Sequence, residues 1–401
     1  MVSQYRYAPE FRIKLGGEVI PALLRASITD VRYTTGLEGA DRIELQIANE
    51  RLRWLDHPLF EPDTPLELEI GYAPDPLTRV FVGEVVSIGA TFPSGGMPML
   101  TVAAQDKMHR LQKGTKSRWF AIPIPFVGNM ALTDMLVGGL VSVEHGLIPA
   151  FDPVGAAIAI LVGGAEALAL VDGANQVQKL IRRQNGTSDF AFLSQIAAEN
   201  GWEMVIDHDG PTGGSKLRFF SPLSHISPDV VLKYGASLID FTPRLSTVGQ
   251  VAGVTLNLWE PNLKLGFGIT IGWDWDRQSL TLSIVPSFGG MVGGAEGLTL
   301  VDEPVTKANA ARVILSKLIP RLNERLTGSG STVGDPRIRA GAVLQLEGLG
   351  KQFGGYYRVT EATHSLGSGG YTVQFNGRKE PVWFAAIPDE EQGAVPVRLE
   401  G

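Results

Sequence analysis

Residues Asn185 to Phe220 read NGTSDFAFLSQIAAENGWEMVIDHDGPTGGSKLRFF. Thr187 or Ser188 can cap a helix start by accepting a hydrogen bond from a free first-turn amide, and Asp189 suits the positive end of that helix. Phe190, Leu193, Ile196 and Ala197 recur at helical spacing and give the helix one apolar face. Gly201 is placed to end it in a left-handed conformation. Trp202 to Ile206 then reads as a short strand. Asp207 to Ser215 is a turn rich in Gly, Pro and Asp, and Lys216 to Phe220 is the returning strand. This helix and hairpin contain no nucleophile, base or metal cluster. Such an adaptor-like unit, in a chain whose two ends look like β-barrels, points to an architectural part.

On the N-terminal side, Ile43, Leu45 and Ile47 alternate with Glu44 and Gln46, and Leu66, Leu68 and Ile70 alternate with Glu67 and Glu69. Val80 to Val86 and Leu100 to Ala104 are further strands. Pro, Gly and Asp cluster between them, as in an antiparallel barrel or sandwich. Composition shifts near Lys113, and helical pieces are expected at Met130 to Leu140 and around Val177 to Ile181. From Val231 the β-pattern resumes, with Val251 to Leu258, Gly266 to Trp273 and Leu280 to Val285. A helix is expected at about 307–326, kinked or ended by Pro320. Strands return at Ala342 to Glu347, Tyr356 to Ala362 and Tyr371 to Asn376. The polar residues 386–401 read as a mobile tail.

One segment is echoed. LVGGAEALALVD at Leu161 to Asp172 returns as MVGGAEGLTLVD at Met291 to Asp302, matching at nine of twelve positions. The copies are too short and too far apart for a solenoid. Equivalent loops of two related β-domains and a duplicated flexible insertion both fit.

The chain has 401 residues, 44% of them apolar and only 19% charged, with a net charge of −7. The length suits two to four domains. So few charges point to a surface hidden in an assembly, though a large monomeric β-protein has a similar composition. The acidic balance argues against a nucleic-acid binder and predicts no nucleic-acid specificity. With no cysteine, disulfides, thiol catalysis and Cys-ligated metals are excluded. MVSQYRYAPEFRIKL has no apolar signal-peptide core, so synthesis in the bacterial cytoplasm is expected. Val154 to Val171 is long enough to span a bilayer but contains Glu166 and the pair Gly163–Gly164. It reads as a surface or inter-subunit loop, with no stable membrane insertion.

The C-terminal stretch Gly328 to Arg378, GSGSTVGDPRIRAGAVLQLEGLGKQFGGYYRVTEATHSLGSGGYTVQFNGR, resembles the end of the late control protein D family. That family supplies the baseplate hub of contractile phage tails and extracellular contractile injection systems. GADRIELQIAN at Gly39 to Asn49, FVGEVVSIGATF at Phe81 to Phe92 and LTVAAQDKMHRL at Leu100 to Leu111 look like its first barrel. SDFAFLSQIAAENGW at Ser188 to Trp202 resembles its middle helix. LKYGASLIDFTPRL at Leu232 to Leu245 resembles the start of its second barrel. The marks span most of the chain in family order.

The resemblance implies a mainly β fold with α+β insertions: two tube-protein-like antiparallel β-barrels and a small helix–hairpin middle region. It implies a first barrel at 1–112, a middle α+β region at 113–230, a second barrel at 231–385 and the tail beyond. It further implies a structural baseplate hub, a homotrimer ring joining the sixfold tail tube protein to a threefold spike and to other baseplate components. The Gly/Ala-rich insertion at about 149–173 departs from the family pattern. The second barrel ends near Arg378 of 401 residues, so the spike is expected to be a separate protein.

Enzymatic readings are weaker. His57, His109, His145, His208, His225 and His364 show no metal-binding spacing. DHDG at Asp207 to Gly210 lacks the further oxygen ligands of a cation loop and reads as a hairpin turn. WDWD at Trp273 to Asp276 puts two carboxylates beside two aromatics, as in sugar clefts, but this pattern more often marks a strand end with Trp facing the core and Asp facing solvent. No GxSxG or phosphate loop occurs. No catalytic, cofactor-binding or metal residue is therefore expected. A tail-associated peptidoglycan hydrolase or carbohydrate-binding tail component is the alternative. The structural expectation falls on Gly354, Gly355 and Tyr357: a glycine pair shaping the backbone before a strand, then a tyrosine that buries its ring.

Overall fold

The computed structural model describes residues 8–124, 128–153, 156, 181–210, 214–221, 227–245, 253–260, 265–274, 279–287, 299–301 and 326–380. Several expectations lie outside these residues: Val154 to Val171 apart from Ala156, the helix near Val177, the first VGGAE copy, His225 and the tail at 386–401. So does the helix at 307–326, except that Leu326 opens a strand. Of the second VGGAE copy, only the strand Thr299–Val301 is described.

The N-terminal strands are β1 (Ala8–Leu15), β2 (Glu18–Val19), β3 (Ile28–Gly36), β4 (Arg42–Ala48), β5 (Pro65–Ala73), β6 (Thr78–Thr91) and β7 (Met99–Asp106). The alternation read from the sequence holds in β4 and β5. Ile43, Leu45, Ile47, Leu66, Leu68 and Ile70 are all at most 1% exposed. Each such side chain contributes about 1.5–3 kcal/mol by leaving water.

The C-terminal strands are β14 (Val230–Lys233), β15 (Leu238–Leu245), β20 (Leu326–Val333), β21 (Val343–Glu347), β22 (Gly355–Gly367) and β23 (Gly370–Lys379). They do not stand apart from the N-terminal set. β22 pairs antiparallel with β3, from Glu361 opposite Gly36 to Leu366 opposite Val31. One sheet of 13 strands results, with the path β15-β20-β23-β22-β3-β4-β7-β6-β5-β1-β2 and with β14 and β21 beside β22. A single apolar core lies against both halves, from Ile13 and Leu15 to Val373 and Phe375. The chain is thus mainly antiparallel β.

β22 serves both halves because of one irregularity. Tyr357 and Val359 are buried on odd positions, whereas Ala362, His364 and Leu366 are buried on even ones. The register against β23 shifts between Val359 and Glu361. A bulge inserts one residue, and one residue reverses which face the following side chains occupy.

β16 (Gly253–Glu260), β17 (Leu265–Asp274), β18 (Ser279–Ser287) and β19 (Thr299–Val301) form a separate four-stranded sheet in the order β18-β17-β16-β19.

The middle region holds β8 (Lys116–Ile124), β9 (Gly128–Ala131), β10 (Ile148–Phe151), β11 (Arg182–Thr187), β12 (Glu203–Asp207) and β13 (Lys216–Phe220). Its helices are α3 (Asp134–Glu144) and α4 (Asp189–Glu199), which follow α1 (Ala22–Ser27) and α2 (Met108–Gln112) in the chain. The hairpin pairs Glu203 with Phe220 through Asp207 with Lys216, and β10 adds to β13 in parallel. Ser188 caps α4, its Oγ accepting from the Ala191 amide, and Gly201 follows the helix at φ +65°.

Three details differ from the sequence reading. The helix expected from Met130 starts at Asp134, where Thr133 caps it, and Met130 belongs to β9. Phe192, absent from the predicted apolar face, is buried and stacks on Phe120, while Phe190 is only half-buried. The first hairpin strand begins at Glu203, and Trp202 packs edge-on against Phe219.

Candidate functional site: the junction of helix, hairpin and sheet

The DHDG turn docks the hairpin onto the large sheet. Arg79 Nε on β6 donates to the His208 carbonyl at 2.8 Å, and its Nη2 donates to the Gly210 carbonyl at 3.3 Å. The Val82 amide donates to His208 Nδ1 at 3.2 Å. Asp207 forms ion pairs with Arg218 at 3.0 Å and with Arg339 at 3.3 Å, tying the hairpin to the C-terminal half. Asp207, expected in the turn, closes β12 instead, and it and the residues His208 to Gly210 after it anchor the middle region to both halves.

Beneath it, Asp41, Asp106 and His208 bring one ligand atom each within 4.8 Å of one another, all buried. The hydrogen bonds do not suit a cation. Because His208 Nδ1 accepts from Val82, Nε2 carries the proton and points it at Asp41 Oδ2, 3.4 Å away. Tyr33 also donates to that oxygen, at 2.8 Å, and the Gly36 amide donates to Asp41 Oδ1. Both Asp106 oxygens accept from amides, those of Asp41 and Met108. Burial, with the Asp41 charge second, pushes the Asp106 carboxyl well above its usual range. The cluster is a polar joint whose buried groups are met by donors of the chain itself.

A second buried joint holds α4 against β8. Asp189, 3% exposed, accepts from Lys116 at 2.7 Å, Arg118 at 2.9 Å and His145 at 2.8 Å. Burial pushes its carboxyl up. The bonds from Lys116, His145 and Gln184 and the charge of Arg118 more than reverse this, to about 2. Glu144, His145 and Asp189 also lie close enough to share an ion, but Lys116 and Arg118 already neutralise the carboxylates. The sequence reading placed Asp189 at the helix start and missed the joint. The available signal was Lys116–Ser117–Arg118, whose period-two spacing puts both cations on one strand face.

At the predicted glycine corner, Gly355 has φ +124°, and a side chain on Gly354 would meet the Gly350 carbonyl at 2.6 Å. Tyr357 is fully buried and donates to the Phe353 carbonyl at 2.7 Å. Next to it, buried Arg358 donates to Glu380 at 2.7 Å. Trp273 and Asp274 end β17, and Trp275 and Asp276 lie outside the described residues.

Where the two sheet halves and α4 meet, they leave a cleft of about 990 Å³. Among the described residues, no helix is long and apolar enough to cross a membrane.

No protein-family model matches the sequence, and no curated protein is similar to it. Solved structures do match. The 43 kDa tail protein of prophage MuSo2 from Shewanella oneidensis is 12% identical, with a TM-score of 0.60 over 93% of this chain and 99% of its own. A tail protein from Neisseria meningitidis MC58 is 10% identical, with a TM-score of 0.58 over 94% and 98%. The E. coli c3393 protein is 11% identical, with a TM-score of 0.51 over 96% and 80%. It is described as a component of the type VI secretion system with structural similarity to the T4 tail proteins gp27 and gp5. The chain has the fold of these tail proteins along nearly its whole length, in keeping with the baseplate hub family that it resembles in sequence.

Proposed function

We propose that this chain is a structural baseplate hub of a contractile tail or injection particle. Three copies form a ring that joins a sixfold inner tube to a threefold spike. The observation that carries the reading is the β3–β22 ladder, which fuses two β-rich halves into one sheet. A protomer with two barrel-like halves, 1–112 and 231–385, offers six such units in a trimer and so mimics a sixfold tube. The middle region, 113–230, ties the halves together through the DHDG anchor. The buried polar joints hold structural elements together, which favours an architectural role over catalysis. The tail proteins that share the fold support the same reading.

Light scattering of the purified chain, alone and with its spike and tube partners, tests this. The expected mass is three protomers. A monomer that never assembles with either partner would sink the proposal.

A further inference from the structure

We propose that the outer end of β6 in one copy of this chain is completed by residues 382–387 of a second copy. Up to Val85 both edges of β6 are occupied. Thr78 to Glu84 lie against β5, and Val85 exchanges main-chain bonds with Asp63 and Thr64. From Ser87 to Thr91 the strand pairs with β7 alone. Every residue from Val86 to Met97 is exposed, so among the described residues this second edge is open.

The open edge is unprotected. Val85 to Gln105 contain no charged residue. By contrast, the edge strand β1 carries Pro9, Glu10 and Arg12, and β15 carries Asp240, Pro243 and Arg244, side chains that discourage pairing with another chain. The apolar face also runs past its cover at β6. Leu45, Val102 and Ile88 form one row across the strands, and Ile47, Leu100 and Ala90 form the next. The first two residues of each row are at most 1% exposed, whereas Ile88 is 41% exposed. One more strand continues both rows and pairs the free main chain.

The sequence supplies a matching strand. Residues 382–387 read VWFAAI, between Pro381 and Pro388. They are uncharged, rich in strand-forming side chains, and as many as Val86 to Thr91. Gly89 leaves the outer face bare, where a side chain would meet nothing within 4 Å. Trp383 fits over it. In an antiparallel ladder this register puts Phe384 beside Ile88 and Ala385 opposite Ser87.

The same copy cannot provide this strand. Asn376, Glu361 and Gly36 share one row, and Glu380 lies four positions beyond it. Val31 lies five positions to the other side, in the row of Leu45, Val102 and Ile88. Along the strands, Glu380 and Ile88 are thus about 30 Å apart. Phe384 reaches at most about 14 Å from Glu380. The contact therefore joins two copies head to tail, the heterologous kind that a closed ring requires.

The chain has no cysteine, so introduced thiols report alone. Full-length Ser87→Cys and Ala385→Cys chains are mixed, oxidised and run without reductant. A disulfide-linked dimer is expected from the mixture and from neither variant by itself. A parallel guest would link Thr91→Cys to Ala385→Cys instead, which also supports the exchange. Val19→Cys, at an exposed site on β2, replaces Ser87→Cys to measure random collision. Ile88→Asp alters an exposed side chain and should lower the linked fraction at least tenfold, with circular dichroism checking that it is folded. The inference is overturned by links no more frequent than with Val19→Cys, or by links that form only within one chain carrying both cysteines. Dimers of Ser87→Cys alone, or a yield unchanged by Ile88→Asp, also overturn it. Light scattering of the same samples separates this from the hub reading. A threefold mass without the link removes the exchange alone, and a link without a threefold mass removes the trimer ring alone.

Discussion

Tyr33 and His364 face each other directly across the β3–β22 ladder, with ring centroids 5.3 Å apart. This pair sits at the seam between the two halves. His364 Nε2 lies 2.7 Å from the Ile338 carbonyl, so that nitrogen carries the proton and Nδ1 accepts from the Tyr371 hydroxyl at 2.8 Å. The neutral ring is therefore built into the seam.

Acid should loosen it. Burial pushes the His364 pKa down to about 4 from an ordinary 6.5. A depressed folded value means the stabilisation is full above pH 6.5 and is lost as pH falls toward 4. The loss should reach about 3 kcal/mol. Urea unfolding across this window, compared with His364→Gln, checks it. A wild-type slope no steeper than the variant's would count against the seam role.

Asp189 acts in a lower window. Its folded value of about 2 lies below the ordinary 3.8, so its contribution is present above pH 3.8 and lost as pH falls toward 2. Asp189→Asn should cost about 2 kcal/mol at neutral pH, because Lys116 and Arg118 lose their buried partner. Chemical denaturation measures this directly, and the variant should also lose the acid dependence below pH 4.

Deleting Thr360 should be far worse than replacing it. The deletion removes the bulge and turns Ala362, His364 and Leu366 toward the wrong face of β22. Thr360→Ala keeps the register and the carbonyl that accepts from the Leu37 amide. Soluble yield and thermal melting separate the two, with the deletion insoluble and the alanine variant near wild type.

Gly355→Val places a β-branched residue at φ +124° and should cost about 2–3 kcal/mol. Gly354→Ala should also destabilise, because its methyl group would press on the Gly350 carbonyl. Reduced melting temperature and reduced particle assembly are the readouts. A Gly355→Val protein as stable as the parent would remove the shape argument for this corner.

Replacing Asp274 and Asp276 by Asn together should leave assembly and injection intact. Zymography on cell-wall material checks the alternative. A lytic activity present in the parent and lost in an assembling double variant would replace the hub reading with an enzymatic one.

Local features were legible in the sequence because their causes are local. Ser188 caps its helix, Gly201 ends it, and the alternation in β4 and β5 marks the buried face. β3 was not read as a strand, although Val31 and Tyr33 are buried in alternation with Asp30, Arg32 and Thr34; the buried Thr35 is the polar residue at an inward position. Its pairing with β22 depends on a contact across most of the chain length, which no local period encodes. The bulge at Thr360, the Val82 amide that sets the His208 tautomer and the burial of Asp189 beside Lys116 and Arg118 have the same origin. Each depends on which backbone groups and charges arrive from distant strands, and only the tertiary structure decides that.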